Sequence, residues 1–170
     1  MSVTQHKQDA PNQVNVMILT VSDTRDETTD KSGNKIRELV KKSGHTVVLH
    51  KIVKDEKTEL LNALLEGCNC EKVDVILTNG GTGIASRDIT IEIVEELLDK
   101  RIPGYGEIFR ILSYETIGSA AILSRAIAGI ANKTAIFSMP GSLGAVQLAM
   151  EKLILPELTH VVGEVRRLQS

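Results

Sequence analysis

Residues 73–90 read Val-Asp-Val-Ile-Leu-Thr-Asn-Gly-Gly-Thr-Gly-Ile-Ala-Ser-Arg-Asp-Ile-Thr. The run at 73–77 is short and rich in Val, Ile and Leu, as expected of a strand buried on both faces. It passes straight into a glycine-rich turn at 78–83. Beyond it, Ile93, Val94, Leu97 and Leu98 recur at helical spacing in a helix predicted over 91–99. A strand, a glycine turn and a helix in succession form the repeating unit of a parallel α/β sheet.

The same alternation extends in both directions. Residues 14–21 form an apolar first strand, 22–31 a polar loop, 32–43 a helix stopped by Gly44, and 45–53 a second strand. Asp55 opens a helix carrying Leu60, Leu61, Leu64 and Leu65. On the C-terminal side, Pro103-Gly104-Tyr105-Gly106 reads as a break before a helix over 107–117. Residues 126–130 and 134–137 flank Asn132-Lys133 as a hairpin. A helix follows over 143–153, and Pro156 starts a last one. The fold class is therefore α/β: a three-layer α/β/α domain with a mostly parallel central sheet and one antiparallel hairpin strand. Residues 1–13 are expected to be a disordered N-terminal segment, with 14–170 a single domain.

Composition narrows the function. Only 2% of the 170 residues are aromatic, there is no Trp, and the formal charge is -2. A single-strand nucleic-acid binder needs stacking rings on a basic groove, so no nucleic-acid partner is expected. No apolar run reaches the length of a membrane span or of a signal-peptide core, so no membrane partner and a cytoplasmic location are expected. Cys68 and Cys70 are too few for a disulfide framework or a zinc site, and no His stands at ligand spacing.

Ligands of such sheets bind outside the carboxyl ends of the strands. The loops at 22–31, 79–88 and 140–144 lie on that side. Asn79, Gly80, Gly81, Thr82 and Gly83 make a turn whose backbone can approach a ligand closely and cradle an anion with its amides. It is not a Walker loop, since no Gly-Lys-Ser/Thr follows, nor a dinucleotide fingerprint, since the G-x-G-x-x-G spacing is missing. Arg87 has the forked donors that suit phosphate. Asp88 suits Mg²⁺, which takes one or two carboxylates plus substrate phosphates, or else caps the helix near Thr90. Asp55 is either a helix cap or a second carboxylate on the same sheet edge. Ser22, Asp23 and Thr24 offer polar groups after the first strand, and Pro140, Gly141 and Ser142 after the last. Glu107, Ser124 and Arg125 are further polar candidates beside apolar segments.

Six ordered segments together resemble one family: 20–25, 53–56, 78–90, 103–107, 123–126 and 139–142. The chain is similar to the MoaB/MogA family of molybdenum cofactor biosynthesis proteins, related to the gephyrin G domain, over roughly residues 14–165. The resemblance implies a molybdopterin-binding domain that assembles as a homotrimer or homohexamer. It implies a molybdopterin adenylyltransferase: with Mg²⁺, ATP and molybdopterin give adenylyl-molybdopterin and pyrophosphate. Asp55 and Asp88 match the family's two functional aspartates, expected to be catalytic and to hold the metal. Gly80 to Gly83 match its glycine loop, and Ser124, Arg125, Gly141 and Ser142 its pterin-site segments. Asn79 departs mildly from the Thr or Ser of many relatives. Some members lack the aspartate matched by Asp88; this chain keeps it. The alternative is a non-catalytic pterin carrier or scaffold. A nucleotide-dependent oxidoreductase is disfavoured by the missing first-strand glycine fingerprint.

Overall fold

The computed structural model describes residues 2–8 and 10–167. In chain order the elements are α1 (Val3–Gln8), β1 (Asn15–Val21), α2 (Lys31–Lys42), β2 (Thr46–Val53), α3 (Lys57–Asn69), β3 (Val75–Asn79), α4 (Thr90–Leu97), β4 (Lys100–Arg101) and α5 (Pro103–Ile117). A 3₁₀ turn (Gly118–Leu123), β5 (Ile127–Ala131), β6 (Thr134–Met139), α6 (Leu143–Ala149), a π-helical turn (Met150–Ile154) and α7 (Leu155–Arg167) complete it.

The strands form one sheet in the order β2-β1-β3-β6-β5-β4. β2, β1, β3 and β6 are mutually parallel, and β5 runs antiparallel to both β6 and β4. This is the mostly parallel sheet with one antiparallel hairpin strand read from the sequence. At the hairpin, Asn132 and Lys133 both have positive φ (45° and 68°), which the right-handed twist of a two-residue turn demands.

Alternate residues of a strand point to opposite faces, and the core divides accordingly. Val16 and Ile18 of β1 pack with Ile36 and Val40 of α2, Phe109 of α5, and residues of α6 and α7. Met17, Leu19 and Val21 pack with Leu60 and Leu64 of α3 and Ile93 and Val94 of α4. Three of the four aromatics are core: Tyr105 stacks edge-on against Phe137 with centroids 5.2 Å apart, and Phe109 lies beside Tyr105.

Some elements differ from the sequence reading. Pro103 does not break the chain but starts α5 at its first turn, where its missing N–H has no helical partner to lose. Pro156, read as the start of the last helix, falls at the second residue of α7. The chain stays helical from Leu143, and Leu155 N–H reaches back to the Met150 carbonyl in a widened turn just before the proline. The two-residue β4 and the 3₁₀ turn carry no periodic pattern and went unread. The segment 1–13, expected to be disordered, includes helix α1 among its described residues.

The sheet order reverses at β1: from this strand the chain crosses one way to β2, and β3 lies on its other side. That reversal opens a crevice between the loops after β1 and β3. Among the described residues no helix is long and apolar enough to cross a membrane.

Candidate functional site

The glycine loop begins where β3 ends. Gly80 and Gly81 have φ of +93° and +67°, a region that costs a residue with a Cβ. A Cβ on Gly80 would also run into the Val21 carbonyl of β1, and one on Gly81 would sit 2.9 Å from Asp55 Oδ1. The loop's carbonyls are held in sequence. Gly80 O accepts from Thr90 Oγ1 (3.0 Å), and Gly81 O from Thr90 N–H (3.0 Å). Thr82 O accepts from Arg125 Nε (3.0 Å), and Gly83 O from Arg125 Nη2 (2.6 Å).

In a trans peptide the N–H points opposite to the preceding carbonyl, and no peptide here is cis. Fixing carbonyls 80 to 83 therefore turns the amides of Gly81, Thr82, Gly83 and Ile84 the other way. Those four amides donate to nothing among the described residues. A run of successive N–H groups without partners can hold an anion.

The loop forms one wall of a cleft of about 470 Å³. Of the residues expected from sequence, Ser22, Thr24, Asp55, Gly80, Gly81, Thr82, Gly83, Asp88, Ser124, Pro140 and Gly141 line it; Val21, Arg25 and Leu123 complete it. None of the four aromatics does.

The sequence left open whether Asp55 and Asp88 are helix caps. The structure decides against both caps. Glu56 is at the cap position of α3 and Ile89 at that of α4, neither making a side-chain cap bond. Asp88 Oδ2 instead accepts from Ala85 N–H (3.0 Å) inside its own loop. Burial pushes the Asp55 carboxyl above its ordinary range, and the negative charges of Asp23 and Asp88 push it further. Asp23 is held below that range, chiefly by hydrogen bonds from Arg87.

Other expected residues are placed differently. Arg87 forms a two-pronged pair with Asp23 (2.8 and 3.0 Å) and a further bond to Glu56 (3.0 Å), at the exposed rim. Arg125 grips the loop and is not among the cleft-lining residues. Ser142 caps α6 through Ala145 N–H (3.2 Å) and lines an adjoining hollow that shares Ser124 and Pro140 with the cleft. Asn79 is buried beneath the loop. Glu107 is exposed on α5 and does not line the cleft. Burial pushes the Cys68 thiol up to about 11, so it is not a nucleophile at neutral pH.

Sequence reasoning missed a buried polar chain below the cleft. Asn79 Nδ2 donates to Thr20 Oγ1 (2.9 Å), which donates to Asp30 Oδ2 (2.6 Å). His50 Nε2 is 3.2 Å from the same oxygen, and Arg37 Nη2 lies 2.8 Å from His50 Nδ1. Arginine only donates, so Nδ1 accepts and the ring proton sits on Nε2, facing Asp30. Asp30 also caps α2 through Gly33 N–H (2.9 Å). Its place just before a helix was the one available signal. Arg25 Nη2 and Ser32 Oγ donate to the Gly141 carbonyl (3.0 and 2.7 Å), tying the third loop to the first.

Comparison with known proteins gives the same family as the sequence motifs. Residues 17–160 match the family described as "Probable molybdopterin binding domain". A Bacillus cereus protein named molybdenum cofactor biosynthesis protein B is 58% identical over 168 residues, spanning 98% of this chain and 99% of that one. A crystal structure of a molybdenum cofactor biosynthesis protein B superposes with a TM-score of 0.90 at 58% identity, covering 93% of this chain and 99% of the other. A MogA structure superposes with a TM-score of 0.81 at 31% identity, covering 89% and 99%.

Proposed function

The chain belongs to the molybdopterin-binding family of molybdenum cofactor biosynthesis proteins, and from that premise we propose that it adenylylates molybdopterin with Mg-ATP in the cleft between β1 and β3. One observation carries the reading: Gly81, Thr82 and Gly83, whose amides have no partner among the described residues, line one cleft together with Asp55 and Asp88. Amides suit the phosphates of both substrates. Carboxylates close to anionic phosphates suit a cation between them.

In the proposed reaction an oxygen of the pterin's terminal phosphate attacks the α-phosphorus of ATP. The bond from that phosphorus to the bridging oxygen breaks, and pyrophosphate leaves with the electron pair. The attacking oxygen is already anionic, so no general base is required. The chain's task is to align two polyanions and offset their charge. The amides of Gly81 to Ile84 hold phosphate oxygens, and Ser22, Thr24 and Ser124 bond polar edges of the substrates. The flat pterin meets no ring in the cleft, so it is held by hydroxyls, backbone and the aliphatic walls of Val21 and Leu123.

The residues fit a divalent ion. The charges of Asp23 and Asp88 raise the Asp55 carboxyl, a repulsion that a cation would relieve. Asp55 and Asp88 would hold Mg²⁺, which stabilises the charge developing on the phosphates and on pyrophosphate. Among the described residues no three His, Cys, Asp or Glu side chains gather into a protein-only metal cluster. Two carboxylates plus substrate phosphates match the habit of Mg²⁺.

A carrier that binds pterin without transferring AMP is the second reading. It is favoured by Arg87, whose guanidinium is engaged by Asp23 and Glu56 rather than open to phosphate. The test is pyrophosphate release from purified protein with molybdopterin, ATP and Mg²⁺. Alanine at Asp55 or Asp88 is expected to abolish transfer and spare pterin binding; a wild type that binds pterin but releases no pyrophosphate supports the carrier.

We also propose self-association, as a homotrimer or homohexamer, through the face of α5 and the 3₁₀ turn. Ile111, Tyr114, Ile117 and Ile122 are exposed there on one stretch of chain. Apolar surface of this kind marks contact sites. A cytoplasmic location belongs to the same reading.

A further inference from the structure

We propose that Arg125 is a positioning residue: with Glu92 it clamps the second half of the glycine loop, directing its amides, and does not contact the substrate. The inference rests on the reading of the loop as the phosphate-holding element.

Arginine has donors on three nitrogens in a fixed plane and no acceptor. In this structure all three nitrogens are engaged by the chain itself. Nε donates to Thr82 O at 3.0 Å. Nη2 donates to Gly83 O at 2.6 Å, with longer contacts of 3.4 Å to Asp88 O and Glu92 Oε2. Nη1 pairs with Glu92 Oε1. Glu92 lies on the first turn of α4, and its carboxyl is held below the ordinary range chiefly by that bond to Arg125. Neither residue lines the cleft.

The division of labour with Thr90 is explicit. Thr90, the first residue of α4, fixes the carbonyls of Gly80 and Gly81 with its hydroxyl and its N–H. Arg125 fixes those of Thr82 and Gly83. Without Arg125 the peptides 82–83 and 83–84 lose their only carbonyl partners among the described residues, and the amides of Gly83 and Ile84 lose their fixed direction. Asp88, at the other end of the loop, has its carbonyl within reach of the same guanidinium. Lysine cannot replace this, because one ammonium cannot present the planar fork.

The experiment compares wild type with Arg125→Lys, Arg125→Ala and Glu92→Gln, each checked for folding by circular dichroism. Hydrogen exchange of peptides covering residues 82–90 is measured first, without ligand. Exchange of the hydrogen-bonded amides of Ala85, Asp88 and Thr90 is expected to quicken by about tenfold in both Arg125 variants and by less in Glu92→Gln, since loss of one partner in a network is partly coupled to the other. In the AMP-transfer assay kcat is expected to fall by about tenfold or more, with the molybdopterin KM little changed, and a variant combining Arg125→Ala with Glu92→Gln to be no worse than Arg125→Ala alone.

Unchanged loop exchange with a pterin affinity lost only in the Arg125 variants would make Arg125 a ligand contact and overturn the proposal. Faster exchange with unchanged kcat and KM would overturn it too. If wild type transfers no AMP, the adenylylation reading fails, and the clamp is then judged by loop exchange alone: quickened exchange in the Arg125 variants and in Glu92→Gln supports it, and unchanged exchange overturns it.

Discussion

The cleft at the β1/β3 reversal and the outer face of α5 meet at Leu123-Ser124, yet they are built on opposite principles. The cleft is made of backbone and short polar side chains, with each loop carbonyl assigned a partner and the facing amides left open. The α5 face is made of long aliphatic side chains and Tyr114, all exposed. The proposed anion site shows fixed dipoles; the proposed contact face shows apolar area. One chain carries both because the switch point of the sheet places the loops while the helices that cover the sheet have outer faces to spare.

The comparison breaks first at the carboxylates. Asp88→Asn keeps the loop acceptor for Ala85 N–H but removes the charge, and AMP transfer is expected to fall about 100-fold or more, read by pyrophosphate release. Asp55→Asn is expected to lose transfer too. It should raise the melting temperature of the unliganded protein, because an acid whose folded pKa is raised destabilises the fold once ionised.

Next comes the loop backbone. Gly80→Ala places a Cβ against the Val21 carbonyl at positive φ, and a loss of about 2–3 kcal/mol in urea unfolding is expected.

The polar chain under the cleft tests burial rather than binding. Burial pushes the Asp30 carboxyl up, but hydrogen bonds from His50, Thr20 and Gly33 outweigh it, and the net position is below the ordinary range. A depressed folded pKa contributes stability that is complete above the unfolded value of about 3.9 and is lost as pH falls through the folded one. Wild type is therefore expected to lose melting temperature more steeply below about pH 4 than Asp30→Asn. Equal slopes would deny Asp30 this role.

The smallest effect on the fold is expected from the apolar face. Ile111→Asp should change the unfolding free energy of the isolated protomer by no more than about 0.5 kcal/mol. The same variant should lower the mass seen in light scattering. If the mass is unchanged, the α5 face is not where copies meet.

Much of this comparison was legible in the sequence, and its gaps have physical reasons. β1 and β3 were readable because burial on both faces leaves nearly continuous Val, Ile and Leu. The loop, Asp55 and Asp88 were readable because they follow strand ends in chain order. Pro103 misled, since a proline marks a break only where its N–H was needed, and the first turn of α5 did not need it. The chain from Asn79 through Thr20 and Asp30 to His50 was invisible, because its partners come from separate strands and a helix start with no local spacing. Arg125 was found as a residue but not as a clamp: a motif names the side chain, and only the loop's carbonyls reveal what it holds. Glu107 was singled out for polarity beside an apolar segment, and α5 places it on an exposed turn outside the cleft.

The central claim is that the loop amides and the two aspartates form one adenylylating site. Its most direct test is a single-turnover reaction of purified protein with molybdopterin, Mg²⁺ and ATP labelled at the α-phosphate. The expected result is label on the pterin with equimolar pyrophosphate, lost in Asp88→Asn although that variant still binds molybdopterin. Bound molybdopterin with no label transferred by the wild type would contradict the claim.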